Sequence, residues 1–213
     1  MPYLIKEIFY SLQGEGAQTG RPAVFCRFAG CNLWSGLDLD RPTSVCQFCD
    51  TDFTGTDGPG GGCFDAPEVL AAAVADQFPP IKSDRLKPLV VCTGGEPLLQ
   101  LDEALVTAFH QIGFEVAIET NGTLPAPSGI DWICVSPKAG SPLNLRSGDE
   151  LKLVFPQEGL DPQDLESLEF KFFFLQPKDG LDLQKNIRLA VDYCLNHPQW
   201  RLSLQMHKYI GIP

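Results

Sequence analysis

The chain has 213 residues, 44% of them hydrophobic and 20% charged, which fits one globular domain with a full core and leaves too few residues for two ordinary ones. A net charge of −11 without any local Lys/Arg cluster removes counterion release as a driving force and argues against polynucleotide as a direct partner. Residues 1–15 hold no basic segment ahead of an apolar run, and apolar stretches such as 71–75, 89–92 and 172–175 are far too short for a bilayer, so a soluble, cytoplasmic protein without membrane association is expected.

In chain order, residues 3–10 and 23–28 read as opening strands. Period-two geometry in the second places Ala23, Phe25 and Arg27 on one face and Val24, Cys26 and Phe28 on the other, so Arg27 points away from Cys26. An irregular region, 32–62, follows with the cysteine cluster; a loop of that length inside a compact domain is functional or mobile. It ends in Gly58-Pro59-Gly60-Gly61-Gly62, which lacks the Lys-Ser/Thr of a phosphate loop and reads as a flexible joint. Asp65 and Glu68 have capping-box spacing, predicting a helix over 66–78.

Residues 89–93 predict a buried strand. Leu101, Ala104, Leu105, Ala108, Phe109 and Ile112 then recur at helical spacing up to a stop at Gly113. Strands are predicted at 115–119, 132–136, 150–155 and 170–175, a helix at 183–195 and a last strand at 201–205. This alternation is that of an α/β chain with a mainly parallel sheet.

Eight cysteines in a chain without an export signal are assigned to metal binding and core packing rather than to disulfides. Cys92, Cys134 and Cys194 lie in apolar segments and read as core thiols; Cys63 is taken as free. Fourteen residues separate Cys31 from Cys46 and two separate Cys46 from Cys49. That spacing alone is an ordinary zinc pattern, but zinc needs a fourth ligand. Cys26 and Cys63 can supply one, although the first lies in a predicted strand and the second follows the glycine run. Three thiolates alone can instead hold three irons of a four-iron cluster and leave the fourth open.

Ala29-Gly30-Cys31-Asn32-Leu33 and Cys46-Gln47-Phe48-Cys49-Asp50-Thr51 resemble the cluster loop of radical S-adenosylmethionine enzymes, enlarged between the first and second cysteines. Ser11-Leu12-Gln13-Gly14-Glu15-Gly16, Phe25-Cys26-Arg27, Thr93-Gly94-Gly95-Glu96-Pro97, Glu119-Thr120-Asn121-Gly122, Val135-Ser136-Pro137-Lys138 and Leu175-Gln176-Pro177 extend the likeness along most of the chain. Together they resemble the 7-carboxy-7-deazaguanine synthase family. The resemblance implies an incomplete (β/α) barrel, a reduced radical-enzyme core of about six parallel strands, in one domain over 1–213 with an enlarged cluster loop at about 32–62. Reactants would lie at the C-terminal ends of the strands.

The resemblance also implies a reaction. A 5′-deoxyadenosyl radical removes hydrogen from C6 of 6-carboxy-5,6,7,8-tetrahydropterin, the ring contracts, the hydrogen returns and ammonia leaves to give 7-carboxy-7-deazaguanine for queuosine-type 7-deazapurines. Cys31, Cys46 and Cys49 are implied as ligands of a [4Fe-4S] cluster, and Phe48, Asp50, Gly95, Ser136, Pro137, Lys138 and Gln176 as contacts of S-adenosylmethionine (SAM). Thr51 matches the family's Mg2+ position. Leu12, Gln13, Gly14, Glu15, Arg27, Thr93 and Pro213 match its substrate contacts, with Arg27 suited to a carboxylate by its planar fork. His207 can assist. No side chain is assigned proton-transfer catalysis. A flavodoxin-type electron donor and a homodimer are the implied partners. Two other readings stay open, a radical enzyme that activates a protein partner and a zinc-stabilised binding module.

Overall fold

Apolar residues at alternate positions carry the chain into β1 (Tyr3–Leu12) and β2 (Pro22–Phe28), an antiparallel pair that sets Phe9 opposite Phe25. In the computed structural model, residues 2–80 and 87–213 are described. Beyond β2 come β3 (Gly62–Phe64), α1 (Pro67–Ala75), β4 (Leu89–Gly94), α2 (Glu103–Gln111) and β5 (Glu115–Thr120). After these lie β6 (Trp132–Val135), β7 (Ser147–Phe155), β8 (Glu169–Pro177), α3 (Leu183–Asn196), β9 (Trp200–Leu202) and α4 (Met206–Ile210).

The strands form one sheet in the order β3-β1-β2-β4-β5-β6-β7-β8-β9. From β2 to β9 all neighbours run parallel, which is one strand more than the expected six or so. β3 and β9 are opposite edges, so the sheet stays open, as an incomplete barrel requires.

Period two divides each strand between two environments. Val24, Cys26, Phe28, Val90, Cys92, Val116 and Ile118 face a layer made by α1 and α2, meeting Leu70, Val74, Leu105 and Phe109 in the main core. Val135, Leu151, Leu153 and Leu175 form a second core with Ala190 of α3 and with Trp200. The other face carries a small apolar cluster of Ala23, Leu89, Val91 and Ala117 and, toward the strand C-termini, a cavity. Cys26, Cys92 and Cys134 are buried and Cys194 is half-buried against the second core, while Cys63 is exposed.

Three local expectations are corrected, and one element is added. α1 is capped by Ala66 with no side-chain hydrogen bond and Pro67 in its first turn; the fixed φ of proline starts the helix without the predicted capping box. The glycine run is a docked turn rather than a joint. Gly58 N–H donates to Lys6 O (2.9 Å) and Ile8 N–H to Pro59 O (2.8 Å), and a β-carbon on Gly58 would come within 2.6 Å of Lys6 O. Its end then pairs as β3 with β1. The last strand stops at Leu202, and residues 206–210, unassigned by periodicity, form α4.

Candidate functional site

A cavity of about 430 Å³ opens at the C-terminal ends of the parallel strands. Every site residue expected from sequence lines it except Pro137, whose carbonyl instead accepts a hydrogen bond from Gln157 Nε2 at 3.3 Å. Three groups of residues build it.

The first is the cysteine loop. Its long insertion is not loose: Leu33, Trp34, Cys46 and Phe53 form a small core against which Cys31, Phe48 and Cys49 pack. Trp34 meets Phe53 edge-on at 5.4 Å. The Arg41 guanidinium lies 3.8 Å over the Trp34 ring and donates to Cys49 O at 3.0 Å, so one side chain braces both ends of the insertion. A hydrogen bond between the thiols pushes Cys46 up and pulls Cys49 down to about 6; burial raises Cys31. Lys138, half-buried nearby, donates to the Ser136 carbonyl and hydroxyl at 2.6 and 2.8 Å, and burial lowers its pKa.

The second is the Thr93–Pro97 turn at the end of β4. Gly95 N–H donates to Phe28 O (3.2 Å) and Glu96 N–H to Gly30 O (2.9 Å), which holds the turn directly beneath Cys31. A β-carbon at Gly95 would overlap Gly30 O and lie 2.9 Å from Cys31 Cβ. Glu96 does not face the cavity. It is fully buried, accepting from Leu98 N, Thr120 Oγ1 and Asn121 N at 3.0, 2.7 and 2.8 Å. Burial raises its pKa against those donors.

The third is a charged floor. Gln13 Nε2 donates to Glu119 Oε1 (3.1 Å) and Thr93 Oγ1 to Glu119 Oε2 (3.3 Å). Lys152 lies between Glu119 (3.3 Å) and Glu15. Burial opposes both charges, yet the pairing holds the Glu119 carboxyl below and the Lys152 ammonium above their ordinary values. Arg27 uses Nε for Glu7 (2.7 Å), and its side chain lines the cavity. Pro213 reaches this wall, where its carbonyl accepts from Ser11 Oγ at 2.8 Å.

Glu119, Lys152 and Glu150 were not predicted as site residues. Glu150 and Lys152 alternate with Leu151 and Leu153 in β7, and a charged period-two face within an apolar strand was the available signal. Glu150 Oε2 accepts from Ala17 N at 2.7 Å and so anchors the loop after Gln13.

A zinc centre needs four side chains converging on one point. Among the described residues no three His, Cys, Asp or Glu side chains do so. Cys26 is turned into the helix-side core and Cys63 sits on the edge strand, so neither joins Cys31, Cys46 and Cys49 at the cavity. A four-iron cluster takes each thiolate on a different iron, and three cavity-lining thiols with one braced loop fit it.

No family model matches the chain. It is 61% identical over its whole length to the 7-carboxy-7-deazaguanine synthase of Caulobacter vibrioides and 62% identical to that of Bordetella pertussis, with all of each relative covered. The chain belongs to the 7-carboxy-7-deazaguanine synthase family. A solved member, QueE from Escherichia coli, superposes with a TM-score of 0.71 at 28% identity, covering 97% of this chain and 95% of that one. Membership makes this a radical SAM enzyme of the queuosine pathway, with an iron–sulfur cluster and SAM as cofactors. It also sets aside the protein-activating and zinc-module readings. No helix among the described residues is long and apolar enough to cross a membrane.

Proposed function

We propose that this 7-carboxy-7-deazaguanine synthase family member converts 6-carboxy-5,6,7,8-tetrahydropterin to 7-carboxy-7-deazaguanine with loss of ammonia, all 213 residues acting as one domain. The observation that carries this reading is the meeting, in one cavity, of three thiols, a glycine turn and a charged floor. When bound, the cluster and SAM supply a carbon radical that abstracts a substrate hydrogen.

Cys31, Cys46 and Cys49 hold the cluster, with Cys49 the thiol readiest to ionise. Gly95 lets backbone carbonyls approach the SAM ammonium, and Phe48, Asp50, Ser136, Pro137, Lys138 and Gln176 surround the rest of SAM; Pro137 acts through the backbone it shares with Ser136. Leu12, Gln13, Gly14, Glu15, Thr93 and Pro213 frame the pterin. The Gln13 amide both donates and accepts, and Glu15 accepts from ring nitrogens. Arg27 receives the carboxylate, its bond to Glu7 fixing the plane of the fork. The ring must shed water and hold one face toward the radical, which the enclosed floor favours.

Thr51 lines the cavity beside Cys49. Mg2+ keeps several waters and binds through few protein groups, so one hydroxyl and the substrate carboxylate suffice as its ligands. Chelating Mg2+ is expected to lower kcat/KM by about tenfold, about 1.4 kcal/mol, and Thr51→Ala is expected to blunt the response to added Mg2+ in the same assay.

A cytoplasmic setting, a flavodoxin-type reductant and a homodimer complete the proposal. The test is anaerobic reconstitution followed by incubation with SAM, a reductant and the carboxypterin. One ammonia per 7-carboxy-7-deazaguanine, with SAM regenerated, supports it. Formation of 5′-deoxyadenosine only when a protein partner is supplied would falsify it.

A further inference from the structure

α4 reaches back across the cavity mouth. Its Lys208 Nζ lies 2.6 Å from Asp50 Oδ2, in the cysteine loop, and 2.5 Å from Asp179 Oδ2, two residues beyond β8. Gln205 Nε2 donates to the same Asp50 oxygen at 3.3 Å. All four side chains line the cavity. The helix is fixed in turn by Met206 N–H, which donates to Gly14 O at 3.0 Å in the Leu12–Glu15 segment. Side-chain exposures of 36–45% in the two ion pairs mean that they add little to folding stability. What they fix is direction. Two donors on Oδ2 restrain the Asp50 carboxylate where it lines the cavity.

We propose that Lys208 is a positioning residue for SAM: its ammonium clasps Asp50 to the end of β8 and so orients the carboxylate that meets the cofactor. This rests on the reading that Asp50 flanks SAM. In this role Lys208 acts through Asp50, whose neighbour Cys49 belongs to the cluster loop and whose clasp partner Asp179 follows Gln176.

The test compares the reconstituted holoenzyme with its Lys208→Met, Lys208→Arg and Asp179→Asn variants, measuring SAM affinity by equilibrium dialysis, iron per chain, and kcat and KM for SAM. Lys208→Met is expected to weaken SAM binding by about tenfold and raise its KM in step, with iron and kcat within about twofold of the parent. Arginine, which keeps the charge, is expected to restore affinity to within about threefold, and Asp179→Asn to weaken SAM about threefold while leaving the Asp50 pair in place. Unchanged affinity in Lys208→Met, equal damage from arginine, or iron lost in parallel with affinity overturns the proposal. A parent that binds SAM normally but makes no deazaguanine defeats the functional reading alone, since dialysis still reports on the clasp.

Discussion

Gly95→Ala is expected to lower kcat/KM by about a thousandfold or more, about 4 kcal/mol of transition-state stabilisation. The added methyl meets backbone, not a side chain that can swing aside: it overlaps Gly30 O and lies 2.9 Å from Cys31 Cβ. Relief requires separating the β4 turn from the strand that delivers Cys31, which breaks the Glu96 N to Gly30 O hydrogen bond. Both Cys31 and the turn proposed to receive the SAM amine then shift, and displacement of about 1 Å is enough to cost orders of magnitude in rate. Iron content and SAM affinity should fall together with activity. Gly62→Ala is the control, because its β-carbon meets nothing closer than 3.6 Å. Activity within tenfold of the parent in Gly95→Ala would remove the turn from the cofactor site.

Lys152→Met is expected to destabilise the protein by about 3–5 kcal/mol, the usual consequence of leaving a buried charge without its partner. Glu15 and Glu119 would face each other across a position whose ammonium is only 6% exposed in the parent. The pH dependence should reverse as well. In the parent, Glu119 is held below 4.5 and Lys152 above 10.5, so the pair stabilises the fold between those values and its contribution is lost as pH falls through the lowered carboxyl or rises through the raised ammonium. Without Lys152, burial raises the Glu119 carboxyl, and the variant gains stability on mild acidification while the parent does not. Chemical denaturation at pH 5 and pH 8 checks this. The same slope in both proteins would show that Lys152 does not neutralise the floor. Glu119→Gln in the Lys152→Met background should recover part of the loss, because it removes one of the stranded charges.

Much of this was legible in sequence because a strand buried on both faces writes itself as an apolar run, as 89–93 does in β4, and a half-apolar one as an alternation, as 150–155 does in β7. The site was legible where chemistry constrains local spacing, as in Cys31, Cys46 and Cys49 or in Gly94-Gly95. It was illegible where function comes from contacts across the fold. Lys152 gains its meaning from Glu15, 137 residues away, and Lys208 from Asp50, 158 residues away. Nor did composition show that Trp34 and Arg41 would give the insertion its own core, or that Gly58–Gly62 would dock on β1. Pro137 belongs to a cavity-lining segment but, unlike its neighbours Ser136 and Lys138, does not itself line the cavity.

The closing of the mouth by the last eleven residues has a consequence for biogenesis. Ser11 meets Pro213 over a separation of 202 residues, and such non-local contacts are the slowest to form in a folding chain. During synthesis the thiols at 31–49 emerge well before residues 205–213, which complete their side of the cavity. The finished setting for the cluster therefore exists only once residues 205–213 have docked on the strand ends.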